Sequence, residues 1–344
     1  MESEGIPDLV TVGGLTVDNI VAVDGTLGLG QAGGNGAYAA VGALHWVDHV
    51  GLVSQAVASY PREVTARLVA GGVDPGGVVF VPTELVAGTW FFYEANGDRD
   101  ERFQGAPEDL AAAGFPADRL SDGQRKDWHA LLAARHVDCE MGYAQFRVRN
   151  PLTPDQVPDR FWRARGMHLA PSGPEVMTAM LDRVPAGMVV TADPGWQLVR
   201  HSLAELAPIL SRLDAFLPSE VELRGFVPGA SLGTGLEVVA RHCRGTVAVK
   251  LGPRGALVWD RARREALPVP SSTVPACDPT GAGDAFCGGF LAGLVETSDS
   301  VRAARFGVLA AARVVCRFGA DGALPVDRSE MRAALTRSPE DAPA

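Results

Sequence analysis

Short runs rich in Val, Leu and Ala recur along the chain and alternate with longer stretches in which apolar residues follow a helical repeat. Runs that are apolar at successive positions predict strands buried on both faces, which is typical of a parallel sheet covered by helices. The pattern therefore predicts an α/β fold with a doubly wound, mostly parallel sheet. The predicted strands are residues 8–13, 49–54, 166–170, 188–193, 215–218, 246–251 and 256–259, and the predicted helices are residues 35–44, 60–70, 174–183, 203–210, 232–242, 283–296 and 300–318.

Two segments, residues 20–27 and 86–103, alternate apolar and polar residues instead. The second contains the aromatic run Trp90 to Tyr93 and an Asn96-Gly97 pair, which is typical of a tight hairpin turn. We predict a small antiparallel β lid made of about residues 19–32 and 84–105. Residues 118–165 have little periodicity, which predicts an irregular excursion.

The chain is long enough for a large core, with 344 residues of which 47% are hydrophobic. We find no internal repeat, and we predict one domain over residues 1–335 followed by a frayed tail at 336–344. The five cysteines are scattered without C-x-x-C spacing, which argues against a disulfide framework and a structural zinc site.

Charge limits the partners that the chain can have. The formal net charge is −10, so there is no basic field to hold a nucleic acid. The N-terminus is acidic, and no stretch approaches the ~20 apolar residues of a membrane span. We expect a cytoplasmic protein with a small-molecule substrate.

The most informative segment is DPTGAGDAF at residues 278–286. Its glycines permit unusual backbone angles, and the small apolar residues after it predict a helix that begins here. A helix start offers unpaired N–H groups, so the amides of Gly281, Ala282 and Gly283 can converge on an anion. Asp284 in the first turn can take a proton from an attacking hydroxyl. The alternative is a tight turn followed by an ordinary helix-start carboxylate.

This segment resembles the C-terminal signature of the ribokinase-like, PfkB carbohydrate kinase family, and other segments resemble the family in the same order over about residues 8–330. The resemblance implies a ribokinase-like fold and an ATP- and Mg²⁺-dependent kinase that phosphorylates a hydroxymethyl group of a sugar or sugar-like molecule. Asp284 would be the general base. Asp278, with Thr280, would help to hold a monovalent cation such as K⁺.

Two N-terminal segments resemble the family's acceptor site. Gly33 and Gly34 resemble its glycine pair, which lets the backbone approach substrate hydroxyls, and Asn35 follows them. Asp18, after the first predicted strand, can accept two sugar hydroxyls. Residue preference alone allows another interpretation, with a turn at the two glycines and Asn35 as a helix N-cap. A formal G-x-G-x-x-G at residues 28–33 is not directly preceded by a strand, which disfavours a dinucleotide site.

Further segments resemble the family's metal and nucleotide sites. Ser219 to Glu222 is similar to its N-x-x-E motif, which implies that Glu222 orders Mg²⁺ and its waters. Ser219 stands where the family usually has Asn, although a hydroxyl can still donate to a phosphate. A helix N-cap with first-turn carboxylates is the alternative. Asp193 ends a predicted strand and faces the expected crevice.

The segment that begins at Lys250 resembles the family's strand and turn beneath the nucleotide, which assigns Gly252 and Gly255 to that site. Lys250 occupies a position where Thr is common, and its ammonium can pair with an ATP phosphate. Gly307 resembles part of the helix that flanks adenine, with helix packing as the alternative.

The acceptor remains open among sugars, polyols and nucleosides. A lid aromatic stacked on a base would favour a nucleoside kinase. From another class, a catalytically silent sugar-binding or regulatory protein is permitted by Ser219 and opposed by the intact DPTGAGD. No Walker loop and no protein-kinase motif occurs. Open lid edges also favour a homodimer.

Overall fold

The computed structural model of the protein describes residues 5–22, 26–83, 89–93, 99–102, 121–123, 126, 143–272 and 274–336. The strands in these ranges are β1 (Leu9–Val12), β2 (Thr16–Val21), β3 (Leu27–Gly33), β4 (Val50–Val57), β5 (Val73–Val81), β6 (Thr89–Tyr93), β7 (Arg99–Arg102), β8 (Gly166–Leu169), β9 (Val189–Ala192), β10 (Ala215–Phe216), β11 (Thr246–Lys250), β12 (Ala256–Asp260) and β13 (Glu265–Val269). The α-helices in these ranges are α1 (Asn35–Leu44), α2 (Arg62–Ala70), α3 (Tyr143–Arg149), α4 (Pro174–Arg183), α5 (Gly195–Val199), α6 (Leu203–Leu210), α7 (Glu220–Phe226), α8 (Leu232–Ala240), α9 (Ala282–Thr297), α10 (Ser300–Val314), α11 (Gly319–Gly322) and α12 (Arg328–Thr336).

Within the described ranges, nine strands form the main sheet, in the order β13-β12-β11-β10-β9-β8-β1-β4-β5. The strands from β11 to β5 pair in parallel, and β12 and β13 add antiparallel pairs at one edge. The central strands β1 and β8 are buried at every residue, as continuous apolar runs predict. The predicted fold class is confirmed.

Two strands were not predicted. β5 carries Asp74, Pro75 and a Gly pair, and β13 carries Pro268, so neither has the apolar pattern of a central strand. Both lie at an edge of the sheet, where such residues are tolerated because one side of the strand needs no ladder hydrogen bonds. The helix predicted to run from residue 300 to 318 ends at Val314.

Close contact between α1 and α9 fixes the start of α9. A Cβ atom on Gly288 would overlap the carbonyl of Ala39, and one on Gly42 would overlap the carbonyl of Ala285. The two helices therefore approach backbone to backbone, which only glycine at these positions allows. This packing holds the first turn of α9 against the helix that follows the predicted acceptor glycines.

The lid is a second sheet in the order β3-β2-β6-β7. Its outer pairs are antiparallel as predicted, whereas the central pair β2–β6 is parallel. Buried Ile20, Phe91 and Tyr93 pack with Phe318, which joins the lid to the C-terminal part of the chain. Gly28, Gly30 and Gly33 lie within β3 rather than between a strand and a helix, so they do not form a dinucleotide turn.

Some predictions fall largely outside the described residues. The Asn96-Gly97 turn, Cys139 and the tail after residue 336 all do, as does most of the excursion at 118–165. The described part of that excursion contains α3 and two short 3₁₀ turns, Pro154–Gln156 and Phe161–Arg163. None of the described helices is long and apolar enough to cross a lipid bilayer. The single-domain boundary remains a prediction.

Candidate active site

A cleft of about 500 Å³ lies between the lid and the carboxyl ends of the main-sheet strands. Ligands of open α/β sheets bind at this edge. The cleft brings together predicted residues from distant segments, namely Asp18, Gly34, Asn35, Ser219, Glu222, Lys250, Gly252, Thr280, Gly281, Ala282, Gly283 and Asp284. Gly33 and Asp278 do not line the cleft but contact residues that do. Gly33 packs against Asp18, and Asp278 accepts a hydrogen bond from the N–H of Thr280.

The start of α9 has the geometry that the sequence predicts. Gly281 is the N-cap in a left-handed conformation (φ 71°), and α9 begins at Ala282. Asp284 is therefore in the first turn, half-buried at the wall of the cleft. The N–H of Ala282 donates to the carbonyl of Pro279 at 3.3 Å, so one of the three predicted amides already makes a long turn hydrogen bond. A first helical turn leaves its N–H groups without intrahelical partners, so this wall favours an anion.

Asp278 is buried and organises the loop before α9. Its carboxylate accepts hydrogen bonds from the N–H groups of Thr280 at 2.9 Å and Gly319 at 3.4 Å. The hydroxyl of Thr280 is hydrogen-bonded to the hydroxyl of Tyr93 at 2.6 Å. Because Tyr93 belongs to β6, the lid touches the loop two residues before the helix starts.

We expect Tyr93→Phe to lower kcat about 3- to 10-fold, the usual effect of losing one hydrogen bond of ~1 kcal/mol. The change removes the contact between the lid and Thr280, so the lid closes less firmly over the loop. Steady-state kinetics and acceptor-independent ATP hydrolysis measure the effect. Thr280→Ser keeps a hydroxyl and is the matched control. Unchanged kcat in Tyr93→Phe would mean that this contact does not help catalysis.

The acceptor side of the cleft depends on glycine at two positions. A Cβ atom on Gly33 would overlap the carboxylate of Asp18, and one on Gly34 would lie 2.5 Å from the carbonyl oxygen of Gly14. Asp18 is 1% exposed. Gly34, at φ 94°, is the N-cap of α1, so the alternative in which Asn35 is the N-cap is wrong. The Asn35 side chain instead accepts the N–H of Gly14 at 2.6 Å, which leaves its amide NH₂ as a donor at the cleft wall.

Ser219 and Glu222 form a capping box at the start of α7. The Ser219 N–H and hydroxyl donate to Glu222 Oε2 at 2.6 and 2.8 Å, and the Glu222 N–H donates back to Ser219 Oγ at 3.3 Å. The helix-cap interpretation of this segment is therefore correct. One oxygen of Glu222 is used by the cap, and the carboxylate still lines the cleft.

Lys250 makes a buried ion pair with Asp193, and both residues line the cleft. The Cys287 thiol lies 3.5 Å from Asp193 Oδ2 and 3.6 Å from Lys250 Nζ. Burial raises the pKa of Asp193 to about 7, although Lys250 opposes this, and Glu222 and Asp284 add to it. Burial alone would lower the pKa of Lys250, but Asp193 raises it above its ordinary value, so the lysine stays charged. Asp193 Oδ1 is buried and has no hydrogen-bond partner among the described residues.

A second cavity of about 350 Å³ adjoins the cleft at Lys250, Gly252 and Gly283. Gly255 lines it at φ 85°, and side chains of α10, including Val308 and Ala311, form an apolar wall. Its form suits a flat apolar group next to the anion-binding helix start.

Gly307 does not line this cavity. A Cβ atom on it would lie 2.7 Å from the carbonyl oxygen of Phe286. Close packing of α10 against α9 therefore accounts for a glycine at this position, and its contact with the nucleotide stays a prediction.

Sequence reasoning missed two residues at the cleft. Tyr38 lies on α1 with its ring against Gly281, and Tyr143 lies on α3 and closes one end of the cleft. Tyr38 is one helical turn after Asn35. It carries the one hydroxyl in a run of small apolar residues, and that hydroxyl is the sequence feature that could have marked it as a cleft residue. Nothing local marks Tyr143.

A helix start whose N–H groups favour an anion, with a carboxylate in its first turn and a polar cleft beneath a β lid, is typical of a phosphotransferase that acts on a small molecule. A family profile described as pfkB family carbohydrate kinase matches residues 160–327. The cytidine kinase of Thermococcus kodakarensis is 28% identical over 324 residues, which are 91% of this chain and 97% of that protein.

Solved structures agree with the fold. The Burkholderia thailandensis nucleoside kinase in complex with inosine has a TM-score of 0.69 at 18% identity, over 95% of this chain and 97% of that one. A putative ribokinase II from E. coli in complex with ATP and Mg²⁺ has a TM-score of 0.67 at 20% identity, over 96% and 100%. The chain thus matches the pfkB carbohydrate kinase profile over residues 160–327, and its fold is that of ribokinase-like proteins over nearly its whole length.

Proposed function

We propose that the protein transfers the γ-phosphoryl group of ATP to a hydroxymethyl group of a sugar-like acceptor, with Asp284 as the general base. One observation carries the proposal: Asp284 and the helix start at Gly281 line the same cleft as Asp18 and Asn35. The acceptor oxygen attacks the γ-phosphorus, its proton passes to Asp284, and the bond from phosphorus to the β-phosphate oxygen breaks to release ADP. Amides of the helix start stabilise charge on the transferred group.

The adjoining cavity suits the nucleotide. Its apolar wall on α10 would take the adenine, and Gly252 and Gly255 would let the chain approach closely without side chains in the way. Lys250, between the cavity and the cleft, would then pair with a phosphate.

The residues present fit Mg²⁺. No group of three or more metal-ligating side chains occurs among the described residues, so a complete protein cage is absent there. Mg²⁺ bound with nucleotides needs only one or two carboxylates, because phosphates and waters complete its octahedron. Glu222 and Asp193, whose Oδ1 has no described partner, are oxygen ligands of that kind at the cleft. When bound, the ion would neutralise phosphate charge.

The loop of Asp278 and Thr280 would hold a monovalent cation such as K⁺. Asp278 is 1% exposed beneath the loop, and a buried carboxylate favours a nearby cation. Activity in potassium compared with tetramethylammonium salts tests this part of the proposal.

A nucleoside is the second candidate acceptor, because a pocket of about 260 Å³ lies on the far side of Tyr143. Gln55 lines it, and the buried Gln55 Oε1 has no hydrogen-bond partner among the described residues. That oxygen could accept an amino group of a base. The cytidine kinase relative supports the same candidate.

The test is phosphorylation of a panel of ribose, fructose, inositol, cytidine, inosine and adenosine, with ADP release and product mass as readouts. We expect one acceptor class to yield a monophosphate at a hydroxymethyl group. If ATP is bound and no acceptor in a broad panel is phosphorylated, the silent sugar-binding alternative replaces the proposal.

A further inference from the structure

An ion pair at the outer edge of the lid holds the strand that leads into the acceptor site. β3 is an edge strand of the lid sheet, and no strand among the described residues pairs with its outer side. On that side, the N–H of Ala32 donates to Asp321 Oδ1 at 2.7 Å, and Arg67 Nη2 donates to the carbonyl of Gly30 at 3.2 Å. The Arg67 guanidinium also pairs with Asp321 Oδ2. These two side chains, which we call the edge clamp, therefore take the place of a neighbouring strand.

The edge clamp lies immediately before the acceptor residues. Ala32 is followed by Gly33, which packs against the Asp18 carboxylate, and by Gly34, the N-cap of α1. Because each peptide unit is rigid, a shift of Ala32 moves the two glycines with it. The edge clamp therefore sets the position of the acceptor wall of the cleft.

Asp321 belongs to α11, which also holds the opposite wall of the cleft. The N–H of Gly319 donates to Asp278 Oδ2 at 3.4 Å, and Asp278 Oδ1 accepts the N–H of Thr280 just before the start of α9. α11 lies directly against β3, since a Cβ atom on Gly319 would overlap the side chain of Gln31. One four-residue helix thus connects the acceptor strand to the loop that precedes the anion-binding turn.

The charges of the edge clamp suit a positioning role better than a stabilising one. The side chain of Asp321 is 2% exposed, whereas that of Arg67 is 45% exposed. Desolvation offsets much of the attraction at the buried carboxylate, and solvent weakens the interaction at the exposed guanidinium, so the net gain in stability is small. The guanidinium is, however, a rigid fork, which reaches Asp321 and the Gly30 carbonyl at once and fixes their spacing.

We propose that Arg67 and Asp321 are positioning residues for phosphoryl transfer, which keep the acceptor wall at the correct distance from the start of α9. The inference rests on the proposed function and deepens it. Neither residue lines the cleft, so neither touches the reacting groups. Transfer needs the acceptor oxygen in line with the γ-phosphorus, and a displacement of about 1 Å can lower the rate up to ~100-fold. The edge clamp prevents that displacement.

Arg67→Gln tests the proposal, because this exposed side chain can be replaced without disturbing the core. We expect kcat to fall about 5- to 30-fold while the KM values for ATP and acceptor stay within about threefold, since the groups that bind them remain. The melting temperature should change by less than about 3 °C. Arg67→Lys keeps a cation beside Asp321 and should recover part of the lost kcat. A kcat of Arg67→Gln within about twofold of wild type would overturn the inference.

A double-variant cycle shows whether the two residues act together. Asp321→Asn keeps an oxygen for the N–H of Ala32 but loses the ion pair, so kcat should fall by a factor similar to that in Arg67→Gln. Adding Arg67→Gln to Asp321→Asn should lower kcat by less than about a further twofold, because both changes break the same pair. Factors that multiply would mean that the residues act separately, which contradicts the edge clamp.

Asp74 and Arg160 form the matched control pair, at the edge of the main sheet. Asp74 lies on the edge strand β5 and accepts hydrogen bonds from Arg160 Nη2 at 3.0 Å and from the N–H of Gly76 at 2.9 Å, so it joins an arginine to a strand amide as Asp321 does. Neither residue lines the cleft or the nucleotide cavity. Asp74→Asn should keep kcat within about twofold of wild type. An equal loss of kcat in Asp74→Asn and Asp321→Asn would assign the effect to general destabilisation and contradict the inference.

Hydrogen exchange tests the edge clamp without kinase activity. In Arg67→Gln, the amides of residues 30–34 and those of residues 278–284 should both exchange at least ~5-fold faster than in wild type, because α11 connects the two segments. If wild type phosphorylates nothing but both segments respond, the proposed function fails while the connection between the two walls is supported. If only residues 30–34 respond, or neither segment does, the edge clamp does not reach the start of α9 and the inference is wrong.

Discussion

Asp284→Asn should fold normally and turn over at least ~100-fold more slowly than wild type, which is the usual contribution of a general base. The amide keeps the size of the side chain but cannot take the proton of the attacking hydroxyl. The loss should appear in kcat, while the acceptor KM changes little, because the helix start and the acceptor residues remain in place. Coupled measurement of ADP release with a saturating acceptor gives the value.

A control separates this role from the ordinary role of a helix-start carboxylate. Glu63 lies in the first turn of α2, away from the cleft. Glu63→Gln and Asp284→Asn should both lose the favourable interaction with the helix dipole, about 0.3–1 kcal/mol of stability. Only Asp284→Asn should lose activity. Similar activity in both variants would reduce Asp284 to a helix-start carboxylate.

The sequence predicts an element accurately where the segment itself contains residues that start or end a helix or that form a buried strand. α1, α4 and α6 begin and end at the predicted residues. α4 has Pro174 in its first turn, and Ser202 and Glu205 form a capping box before α6. The edge strands β5 and β13 lack such signals, because their residues are suited to the edge of a sheet rather than to its centre.

The site divides along the same line. The helix start at Gly281 and Asp284 is contiguous, so its geometry follows from local backbone preferences. The position of Tyr38 at the cleft and the ion pair of Lys250 with Asp193 depend on which distant segments the sheet brings together. The spacing of residues along the sequence does not predict such contacts. Gly307 differs, since close packing against Phe286 accounts for the glycine, and its contact with the nucleotide stays a prediction.

Lys250→Met should lower both stability and activity, since it removes one partner of a buried pair. The side chains of Lys250 and Asp193 are only 12% and 4% exposed, and breaking such a pair typically costs about 3–5 kcal/mol of unfolding free energy. Adding Asp193→Asn removes the stranded carboxylate, so the double variant should recover most of the loss. Urea unfolding of the three proteins measures this.

The loss of stability in Lys250→Met should depend on pH, because the substitution changes the pKa of Asp193. The pKa of Asp193, already about 7, rises further when Lys250 is absent, so its folded-state pKa lies well above its unfolded value. A group shifted this way stabilises the fold below its unfolded pKa and loses that contribution as the pH rises through the folded pKa. The deficit of Lys250→Met relative to wild type should therefore grow as the pH rises above about 7, where Asp193 ionises in wild type but stays protonated in the variant, and it should not grow in the double variant.

Activity separates the two roles of the lysine. If Lys250 also pairs with a phosphate, the stable double variant should still have a kcat/KM for ATP roughly 10- to 100-fold below wild type, the worth of one charged hydrogen bond. Asp193→Asn alone keeps the Lys250 ammonium and is the matched comparison for this measurement. A double variant as active as Asp193→Asn would assign Lys250 to stability alone, with the phosphate then held by the amides at the start of α9.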